Sequence, residues 1–252
     1  MNRILFIIPV LLFSIGLFAQ DTLIVKNKSH SISLKLQFGQ IKDEFNYGLV
    51  FSGGNIGGDY SFSKTTRSNT LIYNGGFTFG VNNNIGNGVA LRFKPVGFFY
   101  GHNFNYKSLV LGGYIETNYQ FQLYPDLQSG HVFWFTAIEF GPRFLIDIPY
   151  KTRIIKFTLS TSLAGSTSRP DPSTETYFYS LNFFDNVFEA SKGFKFNTIN
   201  NFNHTNLEME LLNNRGKRLS FAYAFEYFGY YQEPKISVVN HTVFLKWKIG
   251  KQ

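Results

Sequence analysis

The chain has 252 residues, a formal net charge of +8 and no cysteine. Without cysteine, structural disulfides, thiolate metal sites and the acylated N-terminal Cys of a lipoprotein are excluded. The Lys and Arg residues are dispersed rather than clustered, and the chain begins with an export signal; both features argue against nucleic-acid binding. Basic residues near membrane ends would suit the phosphates of anionic lipids, although a solvated positive surface is an equal alternative.

The first residues have the features of a secretory signal peptide. Arg3 supplies the positive start, and Ile4 to Phe18 form an apolar run that is short for a transmembrane helix and is followed at once by polar residues. We predict a signal peptide over residues 1–19, with cleavage after Ala19, and one domain over residues 20–252. An uncleaved N-terminal anchor is the alternative.

The rest of the sequence alternates apolar and polar residues with the period of β-strands. In the segment from Arg218 to Tyr231, bulky apolar residues alternate with small or charged ones, which is typical of a strand with unlike faces. Turn signals separate similar segments at hairpin spacing. The predicted strands cover residues 31–38, 45–64, 71–81, 89–100, 109–123, 132–148, 153–163, 197–211, 218–231 and 236–249.

The second of these segments is ambiguous, because its apolar residues change parity within residues 52–58. Up to Phe51 they are odd-numbered, and from Ile56 onward they are even-numbered. Either a β-bulge or a tight turn would explain the change. Bacterial outer-membrane barrels have even strand numbers, so we predict one long bulged strand, which makes ten in all.

The distribution of charge between the two faces favours a membrane barrel. None of the apolar-face positions in the regular strands is Asp, Glu, Lys or Arg, and one such charge near the midplane of a lipid-facing wall would cost ~2–4 kcal/mol. The sequence therefore predicts an all-β, transmembrane, antiparallel up-and-down β-barrel of about ten strands, with eight or twelve possible. A periplasmic sandwich or a soluble barrel is the alternative. The opposite face is expected to form a polar network in the lumen, from Lys35, Arg92, Lys94, Glu116, Glu139, Arg143, Asp147, Lys156, Glu208, Glu210, Glu226 and Lys246.

The signal segment ends Phe18-Ala19-Gln20, and the last strand is basic from Phe244 to Gln252. Together with the aromatic amphipathic strands, these residues resemble the outer-membrane β-barrel proteins of Bacteroidota. The resemblance implies a location in the cell outer membrane and insertion by the barrel-assembly machinery. It implies no enzymatic activity.

A barrel of about ten strands is narrow, and side chains fill most of its interior. We therefore expect ion pairs and hydrogen bonds between these side chains to close the lumen. A barrel with a closed lumen is expected to be structural or part of a membrane assembly. A thin polar channel, as in a small porin, is the alternative.

Candidates for catalysis are weak. His204 has lumenal parity and His241 has lipid-side parity, and a His could activate a Ser hydroxyl in a lipase or acyl hydrolase. Ser237 shares the parity of His241, but four residues along a strand is too far for a direct bond. The five His residues are scattered, so we predict no metal site and no cofactor.

The stretch from Ser166 to Lys195 is irregular by composition and is predicted to form a long extracellular loop. It starts with a Pro-rich segment and continues with apolar residues spaced like one face of a short helix. Such a loop either folds over the barrel mouth or docks a protein partner. The candidate partner-binding residues are Arg169, Asp171, Phe184 and Phe188.

Overall fold

The computed structural model describes residues 27–66, 69–86, 88–106, 109–125, 131–169, 193–213 and 218–249. The proposed signal peptide and most of the predicted loop lie outside these ranges. Among the described residues, no helix is long and apolar enough to cross a membrane. The strands are β1 (Asn27–Asp43), β2 (Val50–Thr65), β3 (Asn69–Asn84), β4 (Gly88–Tyr106), β5 (Leu109–Tyr124), β6 (His131–Tyr150), β7 (Arg153–Thr161), β8 (Ala164–Ser168), β9 (Lys195–Thr198), β10 (Phe202–Asn213), β11 (Leu219–Tyr230) and β12 (Ile236–Ile249).

These strands form one closed antiparallel barrel. The sheet runs in the order β5-β4-β3-β2-β1-β12-β11-β10-β7-β6, and β5 also pairs with β6, so no edge is left open in this sequence of strands. The short strand β8 pairs with β6 on one side and with β9 on the other. Along the chain, β8 continues β7 and β9 leads into β10, each after a brief interruption. The described segments therefore act as ten barrel strands, which confirms the predicted fold class and strand number.

The ambiguous segment is one strand, but the bulge that we predicted there is wrong. The pairings of β2 with β1 and with β3 proceed through residues 52–58 without a shift of register. The apparent change of parity arises because Phe51 points into the barrel and is buried, whereas Ile56 points outward and is exposed. The apolar residues of this strand therefore change parity without a bulge, because one of them, at the end of the strand, points inward.

A β-bulge does occur, in β4. The pairing of β4 with β5 shifts between Phe93 and Val96, and Pro95 lies at the shift. Proline cannot donate a hydrogen bond to the ladder, so within sheets it is confined to bulges and edges. The shift turns Phe99 into the interior, where the Arg143 guanidinium lies 5.0 Å from its ring. Strict alternation with Leu91 and Phe93 would predict that Phe99 faces lipid, and the bulge makes this prediction wrong.

The outward face of the wall is apolar and accessible, as a lipid-facing surface requires. On β1, the outward residues Ile32, Leu34, Leu36 and Phe38 are between 52 and 58% exposed. The inward residues of the same strand are more buried and change character along the barrel, from serine near Asn27 to Ile41 and Asp43. We call the two ends of the barrel the Asn27 end and the Asp43 end.

Candidate functional site

The lumen holds the candidate functional site. A cavity of about 520 Å³ extends from the Asn27 end to roughly the middle of the barrel, where it reaches Arg92, Phe228 and Asn240. Its wall is mainly polar, because short Ser, Thr and Asn side chains alternate with outward apolar residues along the strands. The inward side chains of β1 and β12 become more accessible toward the Asn27 end, so the described barrel is open to water from that end.

The structure places the twelve predicted lumenal residues on the inward face. Asp147 is directly opposite Lys156 in the pairing of β6 with β7, and Glu139 is fully buried beside the cavity. The other ten line the cavity itself: Lys35, Arg92, Lys94, Glu116, Arg143, Lys156, Glu208, Glu210, Glu226 and Lys246.

Two ion-pair groups lie nearer the Asn27 end. Lys35 Nζ lies 2.7 Å from Asp59 Oδ1, between β1 and β2. On the other side of the lumen, Lys246 pairs with Glu208 and Glu210, and Ser220 donates a 2.7 Å hydrogen bond to Glu210. These groups keep acidic and basic residues neutralised on the cavity wall, as the predicted lumenal network requires.

His204 is the centre of a third group, deeper in the barrel. Its Nδ1 lies 2.7 Å from Glu139 Oε1, and its Nε2 lies 3.0 Å from Glu226 Oε1. Tyr114 donates a 3.1 Å hydrogen bond to the same Glu139 oxygen, and Asn240 donates a 2.7 Å bond to Glu226. Both ring nitrogens therefore face carboxylates. With both nitrogens protonated, the imidazolium would donate to each carboxylate and ion-pair with both.

Glu116 adds another carboxylate to this group. One ligand atom each from Glu116, Glu139 and His204 lie within 4.8 Å of one another, close enough to share a metal ion. We predicted no metal site, because the sequence shows no His cluster. The grouping arises from three different strands, β5, β6 and β10, so sequence spacing does not reveal it.

Beyond the cavity, an apolar plug fills the Asp43 end of the lumen. Phe135 lies at its centre, with ring centroids 4.5 Å from Phe228, 5.6 Å from Tyr230 and 6.1 Å from Phe202. Phe45 and Leu49, from the turn after β1, pack against it. The full set of buried plug residues is Ile41, Phe51, Ala90, Tyr124, Phe135, Ala137, Phe202, Phe228, Tyr230, Ile236 and Val238.

Arg169 closes the plug from the loop side. Its Nη2 lies 2.7 Å from Asp43 Oδ1, and its guanidinium lies 4.9 Å from the Phe45 ring. The Arg169 side chain is only 5% exposed, so in this arrangement it has little surface to offer a partner. The other three candidate partner-binding residues, Asp171, Phe184 and Phe188, lie outside the described residues.

The two weak catalytic candidates lie in unlike places. His241 is exposed on the outward face, where its Nδ1 is 2.7 Å from the Tyr223 hydroxyl. Near His204, Ser162 Oγ accepts a hydrogen bond from the His204 backbone N–H. Because the ring nitrogens of His204 face carboxylates instead, this arrangement does not activate the Ser162 hydroxyl.

Solved structures share the fold at very low sequence identity. The outer membrane protease OmpT from Escherichia coli is 9% identical, with 92% of this chain and 99% of that chain covered and a TM-score of 0.51. The translocator domain of the autotransporter NalP from Neisseria meningitidis is also 9% identical, with 93% and 91% covered and a TM-score of 0.48.

The fold is that of an outer-membrane β-barrel. At 9% identity the likeness to OmpT supports this architecture and no shared activity. No protein-family model matches the chain, and no curated protein matches its sequence.

Proposed function

We propose that this protein is an integral outer-membrane β-barrel with a closed lumen, which serves as a structural element or as a component of a membrane assembly. The observation that carries the proposal is the apolar plug. Its buried rings cross the Asp43 end of the lumen, so the polar cavity behind them ends inside the barrel. A lumen that side chains close at one end suits a scaffold better than a channel.

The proposal includes export and placement. The mature chain begins after Ala19, and the barrel-assembly machinery inserts it, as in the outer-membrane proteins of Bacteroidota that the sequence resembles. The outward apolar residues contact outer-membrane lipid and lipopolysaccharide. This placement is supported by the accessible apolar wall, since such a surface would be unfavourable in water.

We further propose that the Asp43 end faces the cell exterior. The long segment after Arg169 starts at this end, because Arg169 is paired with Asp43. Bacterial outer-membrane barrels carry their longer loops outside and their short turns in the periplasm. A protein partner would then dock on residues 170–192, and the open cavity would face the periplasm.

The two other functions that the sequence left open gain less support. A lipid-modifying enzyme needs a His beside a nucleophilic hydroxyl, and the ring nitrogens of His204 face Glu139 and Glu226. A small porin needs a continuous polar path, which the plug interrupts. No contact among the described residues favours the enzyme or the porin over a scaffold.

Cysteine labelling of intact cells tests the placement. The chain has no Cys, so single cysteines can be introduced at Ile85, which is 98% exposed in the turn after β3, and at Thr152, in the turn between β6 and β7. An impermeant maleimide should label Ile85→Cys in intact cells and Thr152→Cys only after lysis.

The two sites control for each other, since both are exposed turn residues at opposite ends of the barrel. Labelling of Thr152→Cys with protection of Ile85→Cys would reverse the orientation and put residues 170–192 in the periplasm. Protection of both in intact cells would contradict the outer-membrane location.

A further inference from the structure

We propose that the lumen binds one divalent transition-metal ion, of the Zn²⁺ class, between Glu116, Glu139 and His204. The inference goes beyond the proposed scaffold function and does not depend on which end of the barrel faces outside. It rests on three features of the group: two carboxylates forced together, one carboxylate oxygen without a partner, and a histidine held by a further carboxylate.

The first feature is the pairing of two acidic residues. Glu116 and Glu139 are directly opposite each other in the register of β5 with β6, and both point into the lumen. Like charges at directly opposed positions destabilise a sheet. A metal ion bound between the two carboxylates would relieve this repulsion. The ammonium of Lys94 approaches Glu116 only to 3.9 Å, which is longer than a hydrogen bond.

The second feature is an unsatisfied atom. Glu139 is 0% exposed, and although its Oε1 bonds to His204 and Tyr114, its Oε2 is buried without a hydrogen-bond partner among the described residues. A buried carboxylate oxygen left unpaired is costly, because its desolvation is not compensated. A metal ion bound at this carboxylate would supply that compensation.

The third feature concerns His204. Glu226 Oε1 lies 3.0 Å from its Nε2, so the proton of a neutral ring can stay on Nε2 and leave a lone pair on Nδ1. Metal-ligating histidines commonly donate their other ring N–H to a carboxylate, which fixes the tautomer and raises the basicity of the ligand. Nδ1 is the nitrogen that faces Glu139 and belongs to the group with Glu116.

The donor set determines the class of ion. One imidazole nitrogen with two carboxylate oxygens suits Zn²⁺ and neighbouring divalent transition metals, whereas Ca²⁺ and Mg²⁺ prefer oxygen alone. The ion has an entry path, because Glu116, His204 and Glu226 line the cavity that is open from the Asn27 end. Once bound, it would link β5, β6 and β10 across the lumen.

Calorimetric titration of Zn²⁺ into the untagged, refolded protein in detergent, after treatment with EDTA, tests the site. The wild-type protein should bind one Zn²⁺ per chain at pH 7.5. Glu116→Gln should lose this binding, and it leaves the His204 hydrogen bonds in place. Glu226→Gln should weaken the affinity about 10–100-fold, as expected for a residue that orients a ligand.

Asp59→Asn is the matched control, because Asp59 also lines the cavity but pairs with Lys35 away from the group. It should bind Zn²⁺ like the wild-type protein, and heat-modifiable migration in gels should confirm that every variant is folded. Equal binding by the wild-type protein and Glu116→Gln, or no stoichiometric binding by the wild-type protein, would overturn the proposal.

Discussion

Replacing His204 with leucine is expected to destabilise the folded barrel by about 3–5 kcal/mol, the usual cost of breaking a buried ion pair from one side. His204 lies between Glu139 and Glu226, and both carboxylates would lose their contact with the ring. Most of this cost is expected at Glu139, because its carboxylate is fully buried. Among the described residues it would keep only the Tyr114 hydroxyl as a hydrogen-bond partner. Urea unfolding in lipid vesicles would measure the loss.

The same substitution at His241 provides the control. His241 is exposed on the outward face and bonds to the Tyr223 hydroxyl, so His241→Leu should change the free energy of unfolding by no more than about 1 kcal/mol. Equal effects of the two substitutions would show that His204 does not hold the acidic group together.

Replacing Phe225 with arginine is expected to impair insertion by ~2–4 kcal/mol, because the charge would lie in the lipid-facing wall near the midplane. Phe225 is close to the middle of β11 and faces outward beside His241, with ring centroids 5.4 Å apart. Partitioning between folded and unfolded protein in lipid vesicles would measure the cost.

Two control variants are compared with Phe225→Arg. Phe225→Leu keeps the outward face apolar and should insert nearly as well as the wild-type protein. Glu226→Gln, on the next residue and the inward face, keeps a polar side chain beside Asn240 and should be milder than Phe225→Arg. If Phe225→Arg inserted as well as Phe225→Leu, this face would not contact lipid.

Alternation was enough to predict the wall of the barrel, because side chains in a strand change face at every residue. It correctly placed Leu34 and Phe221 outside and Glu226 inside. It failed where a local irregularity changed the period. In β4 the sequence signal of the bulge is Pro95, and beyond it Phe99 faces the lumen although strict alternation predicts the lipid side.

The plug was missed for a different reason. An aromatic residue that points inward at one end of a barrel resembles one that points toward lipid. A signal was present in β11, where the inward residues change from Ser220, Ala222 and Ala224 to Phe228 and Tyr230. That change from small to aromatic residues marks the point at which the cavity ends.

The contacts of His204 could not be predicted from the sequence. His204 and Glu139 are 65 residues apart, and their strands β10 and β6 are separated by β7 in the sheet. Which inward side chains meet depends on the register of every intervening pair of strands. A single wrongly predicted bulge, such as the one in β2, shifts that register, and the predicted contacts between inward side chains would then be wrong.

The closed lumen is the central claim, and ion conductance across planar lipid bilayers tests it most directly. The wild-type protein, shown to be inserted by its heat-modifiable migration, should give no conductance steps above the empty bilayer. A Phe135→Ala and Phe228→Ala double variant removes two rings that meet edge to face at the centre of the plug and should let ions pass. Stable conductance steps from the wild-type protein would contradict the account, because the plug would then leave an open path.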